Sequence, residues 1–253
     1  MHSDAMNKLL SFSDAFKAAT VEEIGQGGIG TLGEKTLHRT LKYYFEPDST
    51  KHEISYLGHV ADILNEDGII EIQTRSLGRL VPKLEDFLPS QKVTVVYPIV
   101  ENKKICRIDT VSGETLSLRK SPKKGRATDA LPELSLIRKF IPNDNLSVLI
   151  VFVDAIESRM NNQTKKIGRK RTQKIDLIPT GINSFLPLKN SEDYLALLPN
   201  NLPPEFTKAE FEKITGFLGI DSHGALMLML KLGILTREKI GGRSYLYKLN
   251  KTV

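Results

Sequence analysis

Val60-Ala61-Asp62-Ile63-Leu64, a turn at Asn65-Glu66-Asp67-Gly68, then Ile69-Ile70-Glu71-Ile72-Gln73-Thr74-Arg75 is the stretch that decides the fold. Two runs rich in Ile and Val, separated by a short polar segment ending in Gly, predict paired strands. Alternate side chains of a strand share a face, so Glu71 and Gln73 point one way while Ile70 and Ile72 point into a core. Pairing across the turn would bring Asp62 and Glu71 together at one sheet edge. Two carboxylates among apolar strands are costly unless something compensates them. A divalent cation held by oxygen ligands, Mg2+ or Mn2+, would do so.

Outward from this stretch the pattern alternates. Upstream, Leu37, Leu41 and Tyr44 give one apolar face to a helix over Glu34–Phe45, which Pro47 ends. His52–Leu57, Gly58–Leu64 and Gly68–Thr74 read as three strands. Leu77, Leu80, Leu84 and Leu88 make a helical stripe that Pro89 stops, and Val93–Val100 is an almost continuously apolar strand, as expected for one covered on both faces. Beyond it come a hairpin (Ile105–Asp109 with Glu114–Leu118), a helix over Ala127–Phe140 and a strand over Ser147–Asp154. Met1–Glu23 reads as a short amphipathic helix. Gly25–Gly33 lacks the Gly-Lys-Ser/Thr ending of a phosphate loop and reads as a hinge.

The order helix, three strands, helix, strand, with Asp62 on the second strand and Glu71-Ile72-Gln73 on the third, resembles the PD-(D/E)XK nuclease superfamily, the restriction-endonuclease-like fold. The resemblance covers roughly residues 30–100. It implies an α/β, mixed-sheet core of α-β-β-β-α-β order and a Mg2+- or Mn2+-dependent phosphodiesterase. By position, Asp62 and Glu71 would be metal ligands, Glu34 a helix-borne third, and Gln73 would stand at the lysine position, giving the catalytic set Asp62, Glu71, Gln73 and Glu34. Glutamine can orient a water but brings no charge, so the departure at Gln73 puts cleavage in question. A catalytically inactive DNA-binding or regulatory protein that keeps the fold is the rival reading.

The net charge of +6 favours a polyanionic partner. Nucleic acid, DNA first, is therefore the expected partner. Arg75, after the Glu-X-Gln strand, and the run Lys165, Lys166, Arg169, Lys170, Arg171 are candidates for phosphate contacts. A first basic run, Arg119 to Arg126, reads as exposed loop, and Arg79 and Lys83 as a solvated helix face. His38, four residues after Glu34, reads as a helix histidine. One cysteine, Cys106, excludes an internal disulfide and a Cys-rich zinc site. No apolar run approaches a membrane span and no signal-peptide pattern opens the chain, so a cytoplasmic protein without membrane association is expected; a homodimer is compatible.

Towards the C-terminus, Thr207–Phe217 and Ser222–Leu232 read as helices, the first with a capping box of Thr207 and Glu210. Thr236–Ile240 and Ser244–Leu249 flank Gly241-Gly242-Arg243. Two helices and a Gly-tipped hairpin resemble a small winged helix-turn-helix, with Arg243 on the wing as a backbone contact. The sequence thus divides into a nuclease-like domain over 1–182 with a helical extension, a linker over 183–204, and a winged helix over 205–253. The second helix is poor in bases, so binding protein rather than DNA is a serious alternative.

Overall fold

A computed structural model describes residues 9–25, 35–109, 112–161, 172–242 and 244–250. Helix α1 spans Phe12–Gly25 and α2 Thr36–Phe45. Strands β1 (His52–Tyr56), β2 (His59–Asn65) and β3 (Gly68–Ile72) follow as an antiparallel meander. A 3-10 turn at Leu77–Leu80 leads into α3 (Val81–Phe87), after which β4 (Val93–Ile108) pairs parallel to β3. Then come β5 (Thr115–Lys120), α4 (Leu131–Leu136), β6 (Leu146–Asn161) and β7 (Thr172–Leu188). Among the described residues these strands form one mixed sheet in the order β1-β2-β3-β4-β6-β7, with β5 beside the far half of β4.

Both faces of this sheet are covered, which is why the strands read as apolar runs. On one face Leu37 and Leu41 of α2 pack on Ile63, Ile72, Val96, Val151 and Val153. On the other, Leu80, Leu84 and Phe87 around α3 and Leu131 and Leu134 of α4 pack on Ile69, Val95, Val148 and Ile150. The α3 approach is fixed at its start, where the Leu77 N–H, an orphan donor of the first turn, donates to Glu133 Oε2 at 2.8 Å. Parallel strands β3–β4 and β4–β6 are each joined through a helix on this second face, as parallel pairing requires.

Three expectations need correction. Strands β4 and β6 each run 16 residues, about twice the apolar stretch that signalled them; their outer halves are rich in charged residues while still burying Ile105, Ala155 and Glu157. The charge-dense stretch Lys165–Lys174 reads in the sequence as a surface loop, but its last residue, Lys174, lies in β7. Residues 183–204 are not an extended linker: they start inside β7, continue through a 3-10 segment at Ser191–Leu197, and bury Leu188, Tyr194, Leu197, Leu198 and Leu202 in the main core.

The C-terminal unit holds β8 (Glu205–Thr207), α5 (Lys208–Thr215), α6 (Ile220–Lys231), β9 (Leu235–Gly241) and β10 (Ser244–Leu249), with strand order β8-β10-β9. The Thr207–Glu210 capping box forms as the sequence predicts. Helix α6 is laid against α4 so closely that a Cβ on Gly224 would fall 2.4 Å from Ser135 Oγ. Arg126 Nη2 donates to Thr215 O and Lys231 Nζ to Arg138 O, tying the same two parts. The apolar residues of both parts form a single cluster.

The β2–β3 turn sets the register that opposes Asp62 to Glu71, and Gly68 sets the turn. Its φ is +122°, and a Cβ there would lie 2.4 Å from Lys92 O at the start of β4. Gly68→Ala is expected to destabilise the protein by roughly 2 kcal/mol, a fall in Tm of roughly 4–8 °C that thermal unfolding followed by circular dichroism would read.

Candidate functional site

The ladder between β2 and β3 runs Asn65↔Gly68, Leu64↔Ile69, Ile63↔Ile70. One step further Asp62 faces Glu71, and there the strands stop bonding backbone to backbone. Instead the Ile72 N–H donates to Asp62 Oδ2 at 2.7 Å, and the Asp62 backbone amide favours the Glu71 anion across the gap. Ala61 and Ile63, two residues apart, pack in opposite layers, so β2 turns at Asp62 and its side chain reaches both of them.

Helix α2 contributes His38, whose Nε2 lies 3.2 Å from Asp62 Oδ2. One turn on, Lys42 Nζ pairs with Glu53 Oε1 of β1 at 2.9 Å. Glu53 holds φ +53°, uncommon for a residue with a side chain. From the other layer Lys83 of α3 donates to both oxygens of Glu71, at 3.0 and 2.7 Å. The result is an array of Lys42, Glu53, His38, Asp62, Glu71 and Lys83 across the sheet, with the two acids Asp62 and Glu71 adjacent at its centre.

Burial decides its electrostatics. Glu71 is 1% exposed. Desolvation, and then the adjacent Asp62 charge, push its carboxyl up to about 7 even though Lys83 opposes both. Burial also acts against the Asp62 anion, yet the hydrogen bond and charge of His38, the Ile72 amide and Lys83 together hold that carboxyl below its usual range. Two neighbouring acids are thus driven apart, one ionised throughout the neutral range and the other titrating within it. Glu53 is lowered chiefly by its hydrogen bond from Lys42.

Beside the end of β3 lies a cleft of about 300 Å³ lined by Lys35, Thr74, Arg75 and Lys174 among others. Lys174 is lowered by burial, with the Lys103 and Arg75 charges acting the same way against the attraction of Glu157. Lys35 Nζ donates to Ile175 O, and Asp176 accepts from the Thr36 backbone N–H and side-chain hydroxyl, which pins the start of α2 to β7.

The expected residues therefore divide. Asp62 and Glu71 are brought together, with Gln73 beyond them, its N–H donating to Val96 O and its side-chain Nε2 to Arg75 O at 2.6 Å. Arg75 borders the cationic cleft. Glu34, Lys165, Lys166, Arg169, Lys170, Arg171 and Arg243 lie outside the described residues. Among the described residues no group of three or more His, Cys, Asp or Glu is arranged to hold a metal. Glu71, expected on the face away from the core, is buried instead, because α3 covers that face. Lys83, read as solvated, is the ion-pair partner; it is one residue from Leu84 on the core side of α3, and that adjacency was the available signal. His59 pairs with Asp86 and His52 with Glu46 O, away from the carboxylates.

Comparison with known proteins gives the chain a family. The family described as Domain of unknown function (DUF8091) matches residues 35–189. The chain belongs to DUF8091. The matched segment opens at the start of α2 and closes just after β7, so the family's domain is the mixed sheet with its helices. A protein of Treponema pallidum (strain Nichols), named only as an uncharacterized protein, is 30% identical over 221 residues, 87% of each chain. That similarity extends beyond the DUF8091 segment. No solved structure matches. Among the described residues no helix is long and apolar enough to cross a membrane.

The raised carboxyl carries a pH signature. In the unfolded chain Glu71 ionises near 4.5, and in the folded protein near 7. Between those values the folded state holds the extra proton, so its stability falls as pH rises through that window, by about 3 kcal/mol in total. Asp62, lowered in the fold, adds stability that is lost only as pH falls below its unfolded value of 3.8. Glu71→Gln is expected to flatten the decline between pH 4.5 and 7 and to leave the protein at least as stable as the parent at pH 8, as urea unfolding across that range would measure.

Proposed function

We propose that the DUF8091 domain is a restriction-endonuclease-like core of PD-(D/E)XK type, and that the chain is a metal-dependent endonuclease acting on phosphodiesters, DNA first. The observation that carries this reading is the facing pair Asp62 and Glu71, two carboxylates on adjacent antiparallel strands in a buried setting. The surrounding order supports it: α2, the β1–β3 meander, α3, and β4 parallel to β3.

The donor set fits Mg2+ or Mn2+. Asp62 and Glu71 supply hard oxygen ligands, and Mg2+ retains several waters and needs only one or two carboxylates beside the substrate's phosphate. Such an ion supplies Lewis acidity toward the phosphodiester. The chain's own residues do the rest. His38 and the Ile72 amide hold the Asp62 carboxylate in place. Lys83 brings to Glu71 the positive charge that Gln73 lacks, and can transfer its hydrogen bonds to a phosphate oxygen. Gln73, its amide nitrogen engaged by Arg75 O, retains Oε1 as an acceptor to orient a water. Arg75, Lys35 and Lys174 border a cleft suited to the flanking phosphates.

A specific observation favours the rival reading, a DNA-binding or regulatory protein without cleavage. Lys83 already satisfies both oxygens of Glu71, and a carboxylate so paired is neutralised without a metal. In either case we propose that the C-terminal unit is a winged helix used for docking. Six of the twelve residues of α6 are buried, which leaves its central face engaged with α4 rather than presented to a groove.

Incubation of the protein with duplex, single-stranded and branched DNA and with RNA, in Mg2+ or Mn2+, tests the proposal. Cleavage is expected, falling to background in Asp62→Ala and Glu71→Ala and by roughly 100-fold in Lys83→Ala. Calorimetric titration with Mn2+ should show saturable binding that Asp62→Asn loses. Salt-dependent DNA binding with neither cleavage nor metal binding would establish the rival instead.

A further inference from the structure

A second site lies on the far halves of β4 and β6, away from the carboxylates. The β4–β6 register shifts between Val100 and Asn102, and the β6–β7 register shifts at Phe152/Val153 and again at Asp154/Ala155. Irregularities in neighbouring strands at one level open the sheet locally. The return loop after β5 is strapped onto that level: the Ser121 N–H donates to Lys103 O at 2.7 Å, and the Gly125 N–H donates to Val100 O at 3.1 Å. Only glycine fits at 125, since a Cβ would fall 2.5 Å from both Ile99 Cγ2 and Val100 O. Together these segments border an open-mouthed cavity of about 470 Å³.

Its walls are cationic. Lys103, Lys104, Lys120 and Lys124 line it, with the hydroxyls of Ser121 and Thr180. Lys103 is paired with Glu157 at 3.0 Å. No ion pair reaches Lys104, Lys120 or Lys124 among the described residues. The lining carboxylate, Asp154, is already bonded at Oδ1 by the side-chain amides of Asn102 and Asn183, and Lys104 acts on it only as a nearby charge. Lys104 and Lys120 stand directly opposite each other in the β4–β5 ladder. Like charges at that position repel, and an anion between them removes the repulsion.

We infer that this cavity binds the phosphates of a small polyphosphate ligand, such as a nucleoside triphosphate, through Lys104, Lys120 and Lys124. Its volume is that of a small-molecule site. No aromatic side chain is among the lining residues, so recognition is of the phosphates and not of a base. From Val95, beside Glu71, to Lys104 strand β4 rises about 30 Å, so the site is separate from the carboxylate pair and does not depend on the nuclease reading.

Isothermal titration at low salt with sodium tripolyphosphate, ATP and a single-stranded oligonucleotide tests the inference on the full chain. Tripolyphosphate and ATP should bind saturably and with similar affinity. The Lys104→Glu/Lys120→Glu double variant, at exposed positions, should bind both at least tenfold more weakly with an unchanged Tm. Lys189→Glu/Lys213→Glu, which changes net charge equally elsewhere, should bind as the parent does. Absence of saturable tripolyphosphate binding, equal loss in both double variants, undiminished binding by the first, or binding of the oligonucleotide alone would overturn it.

Discussion

Everything at the candidate site depends on one cross-strand opposition, Asp62 of β2 against Glu71 of β3. The register is fixed by the Asn65–Gly68 turn and by the burial of Ile63, Ile69 and Ile72 in layers on either side. A slip of one residue would turn each of these isoleucines to the wrong layer, so the apolar pattern that stabilises the sheet also sets the carboxylates opposite each other. The array around them then follows from the covering helices. Helix α2 brings His38 from one side, α3 brings Lys83 from the other, and β2 turns at Asp62 so that one side chain meets both.

The same layering explains how the C-terminal unit is used. Helices α3 and α4 cover the second face of the sheet, and α4 is short, so its outer side needs cover of its own. Helix α6 supplies it, with Gly224 allowing the approach to Ser135. Leu226, Leu228 and Met229 are thereby committed to packing. What faces outward is the entry to α6, where Leu218 and the helix's first residue, Ile220, are 72% and 85% exposed, and the hairpin of β9 and β10. The unit is therefore built as an extension of the core.

Much of this was legible in the sequence where one physical signal dominates. The short strands β1, β2 and β3 were set by apolar alternation and by glycine-bearing turns, and the facing of Asp62 and Glu71 followed from strand pairing alone. The capping box at Thr207 was readable because it is local chemistry. What failed were inferences from composition. Pro and Asn over 183–204 suggested a linker, but Leu188, Tyr194, Leu197 and Leu202 provide enough buried area to hold an irregular segment against the core. The charged second halves of β4 and β6 hid strands, since backbone pairing continues them where Ile105 and Ala155 give too few buried apolar positions to make a readable alternation. Lys83 was missed because the helical pattern around Leu80 and Leu84 cannot say which side chain beside the stripe will meet a charge on the sheet below.

The energetics of the pair bear on what it is for. A lone buried Glu71 paired with Lys83 would be an ordinary structural ion pair, of little net value to stability but self-consistent. Asp62 makes it worse, since its charge adds to desolvation in driving the Glu71 carboxyl up to about 7. The fold does not relieve this by letting Asp62 protonate; His38 and the Ile72 amide stabilise the anion instead. A second negative charge is thus held, at a cost, beside a first that Lys83 only partly compensates. Such an arrangement is more stable with further positive charge added than without it. That preference, which the pair's own geometry creates, is the physical argument for the metal ion proposed at this position.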